Sequence, residues 1–598
     1  MMIEPDAYSC LGELLRDALV QWKSETALIE VDRKTEKRRL SYLDVKREVA
    51  PVARWLEARG VGPGDRVAIV MGNQPRWLIA AIALFSRGAV LVPIDYKLTG
   101  AEQVALLEHS GARALCTEHP LLARMSELPP CAVLVSEAPE GAARAPDVQR
   151  WEDLDASPEH AEPALEPRRR DDPATIVYSS GTGGRPKGCV LTHDAYLEQL
   201  GALMRLFPMR PGHRTFSVLP TNHAIDFMVG FLGPFACGST VVHQRTLRPE
   251  FLVSTMKDHA ITHMALVPLL LAAFEKALDE RLEKRPAWQR AAVDLLARAN
   301  LELTRAKPDV GVSRRLLGGV HDGLGGKLEL LFCGGAFVDR RRAERFYELG
   351  IPVVIGYGLT ECCTVATVND LRPFRADSVG RAVHGVQVRI DAPDVEGVGE
   401  VEIRGRTVMR EYWKEPELTA RAITDDGWLR TGDLGWLDAS GHLHLVGRSK
   451  NMIVTAGGKN VYPEDVESAF EGVDCEELAI FASGYVWPRQ ARLTDEVLVA
   501  VVRTKHRGAA ALGAIEDEIA RRNRRLPEHK RIAAVLGWSE AFPRTASMKV
   551  KREVLAEQLR EGAREPDLRR IDGGASPDRA TSAGAPTTVR GLRSGGGL

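Results

Sequence analysis

The sequence predicts an α/β protein: a large layered N-terminal domain with mixed and parallel sheets, followed by a small α+β C-terminal domain. Three observations predict it. From Leu40 to Thr117 helical patterns alternate with short apolar runs, as VARWLEARG, GDRVAIVMG, WLIAAIALFSRG and AVLVPID. Helices interleaved with buried strands give parallel pairing with helices on the sheet faces. The alternation resumes after a Pro, Ala and Glu-rich stretch at 136–170. Finally, a charged turn, RSKN at 448–451, precedes a second, smaller αβ pattern that ends near Leu559. At 598 residues the chain exceeds what one core needs, and length alone allows roughly four domain-sized units.

The elements follow in order. The stretch 136–170 reads as a surface excursion. Strands are expected at 173–177, 215–219, 240–243, 328–333 and 352–355, the last two ending in glycine-bearing loops. Open α/β sheets place ligands at such strand ends. Between Phe274 and Lys307, Trp288, Ala291, Ala292, Leu295, Leu296 and Ala299 fall at helical spacing. That pattern predicts an amphipathic helix packed on the domain surface, with a membrane-surface helix as the alternative. The domain boundaries are set at 1–447, a hinge at 448–451, and a small domain at 452–564. The tail 565–598 is Gly, Ala, Ser, Pro and Arg-rich with few apolar residues, so it is expected to be disordered.

Composition narrows the function classes. With 80 basic against 81 acidic residues no global field favours nucleic acid, so substrate charge is met locally. Nine cysteines, scattered from Cys10 to Cys475 without CxxC spacing, read as reduced thiols of a cytosolic protein. The start MMIEPDAYSC has neither the basic nor the apolar region of a signal peptide. The longest apolar runs, 77–85 and 265–274, are too short to span a bilayer. A soluble protein is expected.

The chemistry concentrates in five segments. YSSGTGGRPKGCVLTH, Tyr178 to His193, follows an apolar strand. Gly181, Gly183 and Gly184 let backbone N–H groups approach phosphate oxygens, Ser179, Ser180 and Thr182 add hydroxyls, and Lys187 adds charge. The spacing is not the Walker pattern, and Pro186 before the lysine opposes that geometry. CGGAF at 333–337 and GYGLTE at 356–361 suggest a nucleotide pocket. In it the glycines form a flat wall, Tyr357 offers an aromatic face, Thr360 is a donor, and Glu361 is a hard oxygen ligand for Mg²⁺. Taken singly, Tyr357 reads as core and Glu361 as a helix-terminal carboxylate. DGWLRTGDLG at 426–435 presents Asp433, whose carboxylate can accept two hydrogen bonds from a ribose diol. PRTASMKVKR at 543–552 carries Lys549, suited to deliver a cation to developing negative charge.

In this order the motifs resemble the adenylate-forming superfamily of acyl-CoA synthetases, firefly luciferase and the adenylation domains of peptide synthetases. The resemblance covers roughly 40–559. SSGTGGRPKG is similar to the family's SSGTTGxPKG, GYGLTE to [YF]GxTE, RTGD to TGD, GRSKN with VTAGGKNVYPEDVE to the hinge and its following loop, and PRTASMKVKR to PxTxxGKxxR. The resemblance implies phosphate-loop roles for Thr182 and Lys187, and an adenine site bounded by Gly335, Ala336, Tyr357 and Gly358. It places Thr360 at the α-phosphate, Glu361 on Mg²⁺, and Asp433 and Arg448 at the ribose. Lys450 takes the hinge position of a mobile C-terminal domain, Lys549 is the adenylation lysine, and His223 in LPTNHAIDF lies near the acyl carboxylate. Gly457 and Gly458 line the pantetheine passage. Gly183 and Met548 depart from the family pattern, where Thr and Gly stand, and Cys362 and Cys363 follow the motif glutamate where small or hydroxyl residues are common. The long segment 274–324, with GIPVVIGYGLTE and TVND, looks most like the long-chain fatty acyl branch.

The implied activity is ATP-dependent conversion of a medium or long-chain fatty carboxylate to acyl-AMP and then to a CoA thioester, with ATP, Mg²⁺ and coenzyme A. The alternatives are delivery to an acyl carrier protein and a non-catalytic nucleotide- or acyl-binding member. A cytoplasmic location with peripheral membrane contact stays open.

Overall fold

A computed structural model describes residues 4–140, 147–155, 164–179, 186–454, 460–486, 497–505, 509–544, 550–562 and 568–571. The chain forms two compact units. The first takes Met1–Ala392, Val401–Thr431 and Leu437–His444, and the second takes Pro393–Glu400, Gly432–Trp436 and Leu445–Leu598.

Two large sheets organise the first unit. One has eight strands in the order Glu411–Tyr412, Lys187–Thr192, Pro173–Ser179, Val90–Pro93, Arg66–Val70, Ala114–Glu118, Ala132–Ser136, Val148–Arg150. From Pro173–Ser179 to Val148–Arg150 the pairing is parallel, and the first two strands add antiparallel pairs. The other has nine strands, with a parallel interior that includes Arg214–Ser217, His263–Leu266, Leu330–Gly334 and Val353–Tyr357. Such strands are buried on both faces, which is why they read as continuous apolar runs. Two helices begin where the sequence supplies a capping box. Ser41 and Asp44 make a reciprocal capping box for Tyr42–Ala58, and Thr99 with Glu102 does so for Gly100–Ser110.

In the second unit a sheet runs Glu477–Ala482, Leu498–Arg503, Ile532–Trp538, Arg569–Arg570. Strand alternation divides its core. Leu498, Ala500 and Val502 join a cluster with Val466, Phe470 and Ile519, while Val499 and Val501 join Phe542, Leu555 and Leu559.

Several expectations need correction. The excursion 136–170 contributes an edge strand, Val148–Arg150, parallel to Ala132–Ser136. The later strands are shifted by one to two residues, to Arg214–Ser217, Leu330–Gly334 and Val353–Tyr357. The segment 274–307, expected to hold one amphipathic helix, holds the end of Pro268–Glu283 and all of Ala287–Thr304, and a further helix, Val310–His321, follows it. On Ala287–Thr304 the expected stripe is split: Trp288 is 71% and Leu295 69% exposed, Leu296 packs on a cluster with Val293 and Ala297, and Val293, Ala297, Asn300 and Thr304 are buried. Asn300 donates to the Glu348 carbonyl and accepts from Ser313, so polar positions join the apolar contacts of Val293 and Ala297 in the packing. In the tail, Arg569–Arg570 pairs antiparallel with Ile532–Trp538, and Leu568 and Ile571 pack on the core clusters. The ordered C-terminal unit therefore extends past Glu565, and residues 572–598 lie outside the described residues.

Candidate active site

The phosphate loop joins two adjacent antiparallel strands. Ser179 ends one, Lys187 begins the next, and the two residues are register partners. Ser180, Gly181, Thr182, Gly183 and Gly184 lie outside the described residues. The Ser179 hydroxyl is buried beside the Cys189 thiol, and its contact lowers that thiol against the larger upward effect of burial.

Lys187 and Glu361 converge on one side chain. The edge strand Glu411–Tyr412 pairs with Lys187–Thr192, placing Tyr412 opposite Cys189. The Tyr412 hydroxyl donates to Oε1 of Glu361 at 3.0 Å, and Lys187 Nζ lies over the Tyr412 ring, 5.1 Å from its centroid. That separation is within cation–π range. Backbone bonds fix the arrangement, since Met409 N–H donates to the Glu361 carbonyl at 2.7 Å and Trp413 N–H to the Gly188 carbonyl at 2.7 Å. Thr360 and Glu361 themselves lie in a 3-10 turn, Thr360–Cys362.

The two loops expected at the adenine leave neighbouring parallel strands at the same level, with Gly334 opposite Gly356. Gly335 has φ +82°, a left-handed conformation that suits glycine. At Gly358 the constraint is space, since a Cβ there would lie 2.1 Å from the Thr364 carbonyl oxygen. Ala336 follows Gly335 in the loop between Leu330–Gly334 and the helix Arg340–Glu348, which Asp339 caps. Tyr357 ends its strand and is buried at 8% exposure. Both of its readings as core and as pocket wall therefore meet at the strand terminus. Cys362 and Cys363 are buried, and burial pushes the Cys363 thiol well up. All nine cysteines are free.

His223 sits in the loop between Arg214–Ser217 and a π-helical segment, Asp226–Leu232. Its backbone is held at both sides, because its N–H donates to the Pro220 carbonyl and Phe227 N–H donates to its own carbonyl. Its Nε2 stands 3.5 Å from Oδ2 of Asp95, and neither atom has another hydrogen-bond partner among the described residues. Burial raises the Asp95 carboxyl, but the His223 contact and the Lys97 N–H outweigh it and hold the group below the ordinary value. Below the loop, Asn73 Nδ2 donates to Ser217 Oγ and to the Leu219 carbonyl, and Asn73 Oδ1 accepts from Thr221 N–H. Ser217 and Thr221 hydroxyls then donate to Asp226 Oδ2. Asp226 is fully buried, and burial lifts its carboxyl to about 7 against those two bonds.

Within the second unit, Arg448 Nε meets Asp433 Oδ1 at 2.7 Å, so two residues expected at one ribose are paired. Lys450 lies in the 3-10 turn Ser449–Asn451. Gly457 and Gly458 lie outside the described residues, as do Met548 and Lys549. The ends of the lysine segment are described: Arg544 bridges Val550, Lys551 N–H donates to the Pro543 carbonyl, and Arg544 and Arg552 bind Glu477 and Glu467.

Sequence reasoning missed Tyr412 and Asp95. Tyr412 lies in REYWKEP, where the only signal is an aromatic pair beside a Pro. Asp95 ends AVLVPID, and an acidic residue closing an apolar strand at a ligand-bearing sheet edge could have marked it.

The chain is 29% identical over 491 residues to feruloyl-CoA synthase of Amycolatopsis sp, covering 80% of this chain and 88% of that protein. It is 32% identical over 441 residues to the long-chain-fatty-acid–CoA ligase FadD15 of Mycobacterium bovis, covering 70% and 71%. Its fold is similar to o-succinylbenzoate CoA synthetase (MenE) of Bacillus subtilis, a structure in complex with the acyl-adenylate OSB-AMP. The TM-score is 0.69 at 22% identity, with 91% and 97% of the two chains covered. The family model for AMP-binding enzymes matches residues 15–413. With that match, and with its motifs standing at strand ends in the family's order, the chain belongs to the AMP-binding enzyme family.

Proposed function

We propose that this protein is an AMP-forming acyl-CoA ligase that activates an apolar carboxylic acid. In the first half-reaction a carboxylate oxygen attacks the α-phosphorus of ATP, the bond to the bridging oxygen breaks, and acyl-AMP and pyrophosphate form. In the second, the CoA thiolate adds to the acyl carbonyl and AMP leaves with its phosphate oxygen. The observation that carries this reading is the convergence of Lys187 and Glu361 on Tyr412, which sets a cation and a hard carboxylate beside a phosphate loop.

The donor set fits Mg²⁺, which takes one or two carboxylates and leaves its remaining positions to water and substrate phosphates. Glu361 would hold it, and the ion would neutralise charge on the phosphates. Lys187 binds the phosphates from the strand start, Thr360 donates to the α-phosphate, and Gly335, Ala336, Tyr357 and Gly358 bound the adenine. In the second unit Asp433, steadied by Arg448, accepts from the ribose. Lys549 offsets charge during the first half-reaction. The turn carrying Lys450 is the hinge in this reading, with Gly457 and Gly458 beside the pantetheine arm. His223 faces the acyl carboxylate.

For the acid, we favour a medium or long-chain fatty carboxylate. Support comes from an apolar cavity of about 30 Å³ lined by Leu203, Met204, Phe207, Met228, Val229 and Phe332 among others. Met228 and Val229 belong to the segment that follows His223, and Phe332 leads into the Gly335 loop. The space is far below a typical ligand pocket of about 300 Å³ or more, but methionine side chains repack at low cost. The feruloyl-CoA synthase relative favours an aryl acid as the second reading. The CoA-ligase relatives favour CoA over a carrier protein as acceptor. Among the described residues no helix is long and apolar enough to cross a membrane, and the outward Trp288 and Leu295 are the surface we would assign to any peripheral lipid contact.

The test is pyrophosphate release with ATP and Mg²⁺ across acetate, ferulate, decanoate and palmitate, followed by product analysis with CoA and with a phosphopantetheinylated carrier. Decanoate or palmitate should be fastest. Acetate outrunning all the others would refute an apolar acid, and ferulate outrunning the fatty acids would establish the aryl reading.

A further inference from the structure

We infer that Tyr412 is a positioning residue that sets two groups at once, orienting the Glu361 carboxylate for the metal and parking the Lys187 ammonium beside the phosphate loop. The inference rests on the functional reading above and extends it to a residue outside the family's phosphate, adenine and ribose motifs.

Two separate chemistries meet on this one side chain. The hydroxyl, 3.0 Å from Oε1 of Glu361, fixes the carboxylate by a charge-assisted hydrogen bond. With Oε1 engaged, Oε2 is the oxygen left for a hard cation. The ring face, 5.1 Å from Lys187 Nζ, holds the ammonium by its quadrupole rather than by an anion. A carboxylate pressed directly on the lysine would compete with phosphate, whereas an aromatic face leaves the charge unneutralised. The position of Tyr412 is set by backbone, not by its own side chain. Glu411 and Tyr412 pair with Val190 and Cys189, and the flanking residues bond to Glu361, Val190 and Gly188 through main-chain atoms. The strand that starts with Lys187 is therefore tied to the Glu361 turn by Met409–Trp413, and Tyr412 fills the step between them.

Substitution separates the two roles. Tyr412→Phe removes the hydroxyl and keeps the ring, while Tyr412→Leu removes both. Two measurements read them: the Mg²⁺ concentration giving half-maximal pyrophosphate release at saturating ATP, with the fastest acid of the panel, and calorimetric affinity for ATP without metal and with Mg²⁺. For Tyr412→Phe the half-saturating Mg²⁺ should rise ~10-fold, the usual scale for losing a hydrogen bond to a charged group. Its metal-free ATP affinity should stay at the wild-type value. Tyr412→Leu should show the same Mg²⁺ shift and a further ~3-fold loss of metal-free ATP affinity. In a Glu361→Gln background, Tyr412→Phe should add little.

Wild-type Mg²⁺ dependence in Tyr412→Phe would overturn the inference. So would a metal-free ATP loss as large in the Phe variant as in the Leu variant, since both would then report packing alone. If Tyr412→Leu does not fold, the near-isosteric Phe variant and the Glu361→Gln background decide the question. Wild-type protein that binds Mg²⁺-ATP yet releases no pyrophosphate with any acid would sink the functional reading, while the calorimetric comparison would still decide Tyr412.

Discussion

His223 owes its orientation to Asp95, a residue far from it in sequence. The buried carboxylate spends Oδ1 on the Lys97 N–H and turns Oδ2 toward the imidazole. Removing its charge should loosen the ring without touching the nucleotide. Asp95→Asn is therefore expected to raise KM for the acid ~10-fold, in line with loss of a charge-assisted contact, and to leave KM for ATP unchanged. Steady-state kinetics in both substrates checks this, and equal changes in both would show a general disturbance. Lys549 makes a different prediction. In the function proposed above its charge is needed only while negative charge builds at the α-phosphate, so Lys549→Ala should slow acyl-AMP formation by ~10²–10³ and spare thioester formation from supplied acyl-AMP. Single-turnover assays of each half-reaction separate the two. Lys187, Glu361 and Asp433 were legible because charged residues among glycines and hydroxyls stand out in a sequence. Tyr412 and Asp95 were not, since each acquires its role from a neighbour that pairing brings close.

Among elements, the strand ends were the readable part. Leu330–Gly334 and Val353–Tyr357 announce themselves by apolar runs that stop at glycine, and their register, Gly334 against Gly356, sets both loops side by side. That close approach has a cost that can be measured. Gly358→Ala would drive a methyl against the Thr364 carbonyl carbon at 2.8 Å and its oxygen at 2.1 Å, and backbone on both sides resists displacement. A loss of about 2–4 kcal/mol is expected, whereas Gly335→Ala, strained in φ but in open space, should lose about 1–2. Urea unfolding of the two variants orders them, and a larger loss at Gly335 would contradict the packing argument. The helix Ala287–Thr304 shows where periodicity misleads. Its apolar residues recur at helical spacing, yet Asn300 and Thr304 share the inner face with Val293 and Ala297 while Trp288 and Leu295 point outward, and a hydropathy pattern cannot register the polar half of that face.

For the molecule as a whole, buried histidines couple folding to acid. Burial holds His193, His243 and His263 down to about 3 and His321 to about 4. The unfolded chain takes up these protons near pH 6.5. Their stabilisation is thus complete above pH 6.5 and declines as pH falls toward 4 and 3, at up to about 1.4 kcal/mol per pH unit for each. Asp226 opposes them: its carboxyl, raised to about 7, stabilises most below about pH 4 and progressively less toward 7. Glu118, Asp279 and Glu467 are raised in the same sense as Asp226, and His109, His213 and His259 are lowered with the other four histidines; seven histidines against four carboxyls should make the thermal midpoint fall between pH 6.5 and 4. His243→Leu should flatten that slope, because both of its ring nitrogens are buried without partners among the described residues. A slope unchanged in the variant would remove His243 from the effect.

The second unit is not contiguous in the chain, since it takes Gly432–Trp436 as well as everything from Leu445 onward. Evolution or an engineer who recombines two related genes between Trp436 and Arg448 therefore moves Arg448 but leaves Asp433 with the upstream parent. A crossover there is silent only when both parents carry the matching ion-pair partner, so the 2.7 Å bridge acts as a compatibility check on module exchange, which a cut upstream of Gly432 or after Arg448 passes.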